Sequence, residues 1–456
     1  MYLQNILLCM IVSLGLCRCN RVYVHPFNLF AYNKSECEHL QTQNNTFEKT
    51  VMPVPIETRF TSEEKFRKVE TYTRTYQFDV SESYLTSLIN FLGQRAYQAL
   101  EELHTTNTIL LSSTNFYWSM VSFYLSASGE TALSLQKLLG FEHPSESKSC
   151  TSQINGLKII SKLKTIDRAL FSKNGNILVL KTIFIFVSPG VPLSENIIRE
   201  LAPSANNLYI RAVNFTNSAK AVGLMNEFLD IQLPKKSKYG LTSVDEASNF
   251  LYLSHVYYKG KVTKSFLIPE LQQFWIEPGR QISVPMISAT GMFQFKYDSI
   301  SNQLVLKIYI SENDFLLIIL PINGNTLENI ESSFKINSWQ TLNGLSNRYI
   351  HLTIPKLEIE CLYDANDLLT QMKLPNLLGK TAHFGKLSNE DINIGKVINI
   401  VHFELGDSGD NEVNVPEENQ EPLEVKVNRP FILMLFEGTT KASILLGRIV
   451  NPITIT

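Results

Sequence analysis

The chain has 456 residues, 44% of them hydrophobic, with a formal charge of -2 and a pI near 6.5. That length and apolar content support one very large domain or two ordinary ones and exclude disorder for most of the chain. The balance of charges leaves no basic stripe to neutralise phosphates, which argues against nucleic-acid binding, and beyond the N-terminal leader no apolar run approaches the ~20 residues of a membrane-spanning helix.

Ile6 to Leu16 forms an apolar stretch of the size a secretory leader uses, and Cys17 and Cys19 are small residues at its exit. Residues 1–19 are therefore read as a signal peptide, cleaved to leave Asn20 at the mature N-terminus of a secreted protein. Of the six cysteines, Cys9, Cys17 and Cys19 depart with it. Cys37, Cys150 and Cys361 remain, an odd number that predicts one disulfide and one spare thiol, with three pairings open. Asn33, Asn44 and Asn214 each head an Asn-x-Ser/Thr triplet, the acceptor pattern for glycosylation of an exported chain.

The mature chain opens with NRVYVHPFNL, Asn20 to Leu29. Val22, Tyr23 and Val24 favour extended backbone, and Pro26 forbids a helix while pushing His25 toward the β or polyproline region. In that form Tyr23, His25, Phe27 and Leu29 share one side. Leu29-Phe30 is a bulky apolar pair of the kind an aspartic protease cleft accepts. From Asn20 to about Arg74 the chain is polar and irregular and is read as an extended tail, with the body at 75–456.

Tyr84, Leu88, Leu92 and Ala96 begin a helical period, and Ile159, Leu163, Ile166 and Leu170 repeat it. After Asn249 the character changes. Phe250–Tyr258, Leu304–Ile310, Phe315–Leu320, Tyr349–Ile354, Val397–Leu405 and Phe431–Phe436 are β-rich runs separated by turn formers such as Pro278-Gly279 and Asn323-Gly324. Helices early and strands late give an α+β fold.

Several segments then resemble the serpins, in order and spacing, over about residue 75 to Thr456. They are HVYYKGK at His255–Lys261, Val284-Pro285-Met286, Leu317–Pro321, Ile354-Pro355-Lys356-Leu357 with Tyr363-Asp364, and Asn428-Arg429-Pro430-Phe431 leading to Gly447–Pro452. The resemblance implies three β-sheets, eight or nine helices and an exposed reactive-centre loop at roughly Gly406 to Pro422. Inhibitory serpins insert the cleaved loop into the middle of the largest sheet, which requires small, uncharged side chains where alternate positions become buried. This loop reads GDSGDNEVNVPEENQEP. One register buries Asp410 and Glu412, the other Asp407 and Asn411, and Pro416 lacks an N–H donor for a central strand. A non-inhibitory serpin is therefore expected, with a secreted serine protease inhibitor as the alternative. Ser112-Ser113-Thr114-Asn115, where the family often has Ser-Pro-x-Ser, is a second departure.

Gly406-Asp407-Ser408-Gly409 resembles the nucleophile segment of chymotrypsin-like proteases and Thr381-Ala382-His383 faintly echoes their histidine segment, but they lie too close in the chain, and a polar surface loop is expected. No HExxH, CxxC or phosphate-binding loop occurs, so no catalytic residue, metal or cofactor is expected.

The family resemblance extends to the N-terminal ten residues, which closely resemble a vasoactive peptide hormone carried at the mature N-terminus of a non-inhibitory serpin. It implies that an aspartic protease cuts Leu29-Phe30 and that a zinc dipeptidyl carboxypeptidase then cuts after Phe27, removing Asn28-Leu29 from the octapeptide Asn20 to Phe27. Arg21, Tyr23, His25, Pro26 and Phe27 would contact a G-protein-coupled receptor. The same resemblance pairs Cys37 with Cys150, tying the tail to the body of a monomer, and leaves Cys361 as a buried thiol.

Overall fold

The structure is a computed structural model that describes residues 49–58, 82–140, 163, 177–201, 207–333, 344–409 and 421–453. The helix expected from Tyr84, Leu88, Leu92 and Ala96 is α1, Glu82–Leu103, which buries Leu85, Ile89, Leu92, Ala96 and Leu100 along one stripe. Helix α2, Ser113–Ser126, is buried on every side, and its polar residues are all short, uncharged Ser, Thr or Asn. Helices α3 (Gly129–Leu138), α4 (Glu195–Leu201), α5 (Ser218–Gln232), α6 (Leu327–Ser333) and α7 (Ala365–Gln371) complete the seven among the described residues. Of the second expected helical stripe only Leu163 is described, and it is buried in the main core.

One mixed parallel and antiparallel sheet has six strands. In chain order they are β2 (Val54–Pro55), β4 (Ile177–Val187), β6 (Asn207–Ala212), β7 (Phe250–Val262), β15 (Leu357–Asp364) and β16 (Ile394–Asp407), and in space they run β15-β16-β7-β4-β6-β2. At its centre β7 and β16 lie parallel and paired from Phe250↔Ile394 to Val262↔Asp407. One face carries Val256, Tyr258, Val401 and Phe403 into the core that holds α2. The other carries Leu251, Leu253, Ile398 and Ile400 against Met225, Phe228 and Leu229 of α5. Burial on both faces explains why these strands read as continuous apolar runs rather than alternating ones. Phe228 packs edge-on against both Phe184 and Phe186 of β4, and its truncation to alanine costs about 3–5 kcal/mol.

The remaining strands form one nine-stranded sheet and two two-stranded pairs. The pairs are β1 (Thr50–Val51) with β5 (Leu193–Ser194) and β9 (Gln272–Glu277) with β10 (Arg280–Val284). Pro278-Gly279 is the turn between β9 and β10, with Gly279 at φ 85, where a left-handed backbone favours glycine. The nine-stranded sheet contains β3 (Ile109–Ser112), β8 (Ser265–Leu267), β11 (Met286–Asp298), β12 (Gln303–Tyr309), β13 (Phe315–Pro321), β14 (Ser346–Pro355), β17 (Leu423–Lys426), β18 (Phe431–Phe436) and β19 (Ser443–Ile449). Three separate sheets are implied by the resemblance; here the second and third are continuous because the long β11 pairs with β14, β12 and β8 along its length.

Every β-rich run expected after Asn249 is a strand. The C-terminal pair β18–β19 closes onto β3 and carries a buried ion pair. Arg448 Nη1 donates to Glu331 Oε2 at 3.0 Å, and Tyr97 OH donates to Glu331 Oε1 at 2.6 Å. Removing one partner of such a pair costs about 3–5 kcal/mol, because the other is left charged in the core. Residues 49–58, read from sequence as part of the extended tail, are instead docked on the body. Val54–Pro55 adds an edge strand to β6, and Ile56 is buried in the core under α5.

Candidate functional site

The hormone-like segment 20–30, Cys37, Cys150, Asn33 and Asn44 lie outside the described residues. What is described is the rim of the reactive-centre loop, the seam that an inserted loop would have to open, and Asn214. The loop begins later than its sequence indicates. Gly406 and Asp407 are still strand, paired with Lys261 and Val262. Ser408 then closes the strand: its Oγ donates to Ser265 O at 3.2 Å and accepts from Ser265 N at 3.0 Å, while its own N–H donates to Ser265 Oγ at 3.2 Å. The hydroxyl that resembles a protease nucleophile is thus bonded to Ser265, the first residue of β8. His383 is elsewhere, its N–H on Thr131 Oγ1 of α3 and its carbonyl accepting from Ser128. The two are not brought together. Residues 410–420, which hold Asp410, Glu412 and Pro416, lie outside the described residues.

Below the rim, the β7–β16 seam is bridged on both faces. On the α2 face, Ser112 caps the helix by accepting from Asn115 N at 3.3 Å, with Tyr258 OH 3.0 Å from its Oγ. Asn115, in the third position of the helix, accepts from Ser254 Oγ of β7 at 2.8 Å and donates to Asn399 Oδ1 of β16 at 3.2 Å. Ser119 Oγ also donates to Asn399 Oδ1, at 3.3 Å. The Ser-Ser-Thr-Asn departure noted in the sequence therefore supplies a longer polar side chain that spans the two central strands. All these groups are buried and neutral.

The α5 face is ionic. The segment after α5 crosses the sheet, and Lys235 Nζ donates to Glu358 Oε1 of β15 at 2.7 Å and Glu404 Oε1 of β16 at 2.8 Å. Lys259 of β7 lies 3.5 Å from Glu404 across the seam, and the rings of Tyr257 and His402 meet edge-on at 5.0 Å. Ser237 Oγ bonds Glu360 Oε1, and Lys238 N donates to Glu360 Oε2 at 3.2 Å. Burial acts to raise the Glu404 carboxyl, but hydrogen bonds from Lys235 and Tyr257 outweigh it and hold the pKa below the usual value. Glu358 is lowered chiefly by its bond from Lys235. His255 sits in the seam with neither ring nitrogen bonded; burial, with a smaller contribution from His402, pushes its pKa down to about 3. The reading of the sequence missed this constellation, whose only local signal is single polar residues inside apolar runs.

Cys361 is free and buried, with Sγ 3.9 Å from Thr108 O, and burial pushes its thiol up to about 12. It is inert as a nucleophile. Asn214 is exposed, and its Oδ1 accepts from Thr216 N and Oγ1 of its own triplet at 3.0 and 2.7 Å.

The serpin (serine protease inhibitor) family model matches residues 87–452. Bovine angiotensinogen is 33% identical over 98% of this chain and 97% of its own length, and human angiotensinogen is 31% identical over 99% and 98%. This chain belongs to the angiotensinogen family of serpins. Its membership agrees with the fold: mouse protein Z-dependent protease inhibitor superposes with a TM-score of 0.69 over 81% of this chain and 98% of its own at 22% identity. The angiotensinogen relationship makes the chain a non-enzymatic serpin. No helix of the described residues is long and apolar enough to cross a membrane.

Proposed function

We propose that this angiotensinogen-family serpin is the secreted precursor of a vasoactive peptide hormone that regulates blood pressure and salt and water balance. The observation that carries this reading is NRVYVHPFNL placed behind a leader in a chain that aligns with angiotensinogens almost end to end. Renin, an aspartic protease, cuts Leu29-Phe30 and releases the decapeptide Asn20 to Leu29. A zinc dipeptidyl carboxypeptidase then removes Asn28-Leu29, and the octapeptide engages a G-protein-coupled receptor through Arg21, Tyr23, His25, Pro26 and Phe27. Asn20 and Asn28 depart from the mammalian peptide and favour a non-mammalian vertebrate source.

The body acts as a non-inhibitory scaffold. A loop strand carrying Asp410 and Glu412 would have to part thirteen paired positions of β16 from β7 and bury carboxylates at a cost of several kcal/mol each. Docking of residues 49–58 fixes the chain 19 residues beyond Phe30, so the scissile bond reaches at most roughly 60–70 Å from that anchor. A Cys37–Cys150 bridge would tether it further, and glycans at Asn33, Asn44 and Asn214 suit a secreted chain. Treating the mature protein with renin and weighing the products tests the reading: the expected result is the mass of Asn20 to Leu29 beside an intact body. No such peptide, or an SDS-stable complex with a serine protease, would overturn it.

A further inference from the structure

We propose that Glu358, His402 and Glu404 form a binding site for a zinc ion, in competition with the Lys235 ammonium. The register builds this set. Glu358 and Glu404 are direct cross-strand partners on β15 and β16, and His402, two residues before Glu404, shares the same face. One ligand atom from each lies within 4.8 Å of the others, and His402 Nε2 is 3.5 Å from Glu404 Oε1.

Two independent observations point to a cation here. Like charges directly opposite on neighbouring strands repel, so Glu358 and Glu404 need a positive group between them, and Lys235 now supplies it. His402 points the same way: it is only 3% exposed, and its Nε2, aimed at Glu404, has no hydrogen-bond partner. Lys235 spends two of its three N–H donors on the carboxylates and makes no hydrogen bond to that nitrogen, whereas a metal ion can take its lone pair and both carboxylates at once. One imidazole nitrogen and two carboxylate oxygens are ligands that zinc accepts, with a fourth position left to water. Placement on two paired strands holds the set rigid. Lys235, 35% exposed, can swing into solvent when the ion binds, and Glu358, 43% exposed, leaves an entry path.

The test is calorimetric titration of zinc chloride into the full mature protein at pH 7.4, with Lys235→Met, Glu358→Gln and the double variant. Lys235→Met removes the one cation shared by both carboxylates, leaving Lys259 beside Glu404 and Lys238 beside Glu358, and is expected to tighten zinc binding about tenfold or more. Adding Glu358→Gln, a surface change that leaves the fold intact, is expected to reverse that gain. A matched thermal scan reads the same linkage, since zinc raises the melting temperature of a protein that binds it when folded. Equal zinc affinity in the wild type and Lys235→Met, or in Lys235→Met and the double variant, overturns the proposal. Zinc bound elsewhere on the chain would give that outcome.

Discussion

The two faces of the β7–β16 seam hold the same pair of strands together with opposite chemistry. On the α2 face Asn115, Ser119, Ser254 and Asn399 make hydrogen bonds of 2.8 to 3.3 Å between neutral, fully buried groups. On the α5 face Lys259 pairs with Glu404 across the seam, and Lys235 braces Glu404 from the β15 side through Glu358, in ion pairs that remain partly open to water. Neutral buried hydrogen bonds are insensitive to salt and pH but expensive to leave half-made, whereas half-exposed ion pairs are individually weak and screened. The α2 face should therefore set how firmly the sheet stays closed, and the α5 face should set how that closure responds to its surroundings.

The largest effect is expected from breaking the neutral face. Asn399→Leu removes the acceptor of Asn115 Nδ2, while Ser119 Oγ keeps its bond to Asn115 O at 3.0 Å, and one stranded buried donor costs about 1–3 kcal/mol. Urea unfolding should show that loss unchanged between low and high salt. A loss below 1 kcal/mol, or one that varies with salt, would mean that the α2 face does not hold the seam.

His255 is next, and it tests the response to acid. Its folded pKa is about 3 against an ordinary value of 6.5, so in that interval the unfolded chain binds a proton that the folded chain refuses. Stability from this residue is complete above pH 6.5 and is lost as pH falls toward 3, by up to about 1.4 kcal/mol per pH unit. His255→Leu should flatten the melting temperature between pH 6.5 and 4 while leaving it unchanged or higher at pH 7.5, because two unbonded ring nitrogens are removed. An undiminished acid loss in the variant would assign the effect to other groups.

Much of this frame was legible before the structure. The runs at Phe250, Phe315, Val397 and Phe431 are strands because β-branched and aromatic residues fit a sheet buried on both sides. Ile177–Val187 has the same character but follows directly on the helical period of Ile159 to Leu170, which sets a helical expectation for that half of the chain. Helix α5 was also missed; Ala221, Met225, Phe228 and Leu229 give it a stripe, but Gly223 and a polar flank blur the pattern. The seam itself could not be read at all. Asn115, Ser254 and Asn399 are far apart in the chain, and Glu358 faces Glu404 only because one register aligns two strands, which no local spacing encodes. Nor could docking of residues 49–58 be foreseen, since two-residue strands carry no periodicity.

A smaller effect should sharpen the contrast from the ionic side. Lys235→Met leaves Glu358 and Glu404 facing each other without their shared cation, yet partly water-screened pairs of this kind are worth only about 1 kcal/mol. The loss should shrink at high salt, where the two carboxylates are screened from each other. A salt-independent loss as large as that of Asn399→Leu would erase the distinction between the faces.

The smallest expected effect lies at the top of the seam, where Ser408 and Ser265 close the strand just before the loop. Ser408→Ala removes one hydroxyl that both donates to Ser265 O and accepts from Ser265 N, while the backbone bond from Ser408 N to Ser265 Oγ survives. Because the site is only partly buried, water can replace the lost partner and the stability cost is about 0.5–1 kcal/mol. The local consequence is larger than the global one, since the last ladder positions Gly406↔Lys261 and Asp407↔Val262 are anchored by this contact. Amide exchange at Gly406 and Asp407 should accelerate in Ser408→Ala while that at Asn399 and Ile400 stays protected, because those amides open only with the whole seam. Equal acceleration at both ends would show that rim and seam open as one unit.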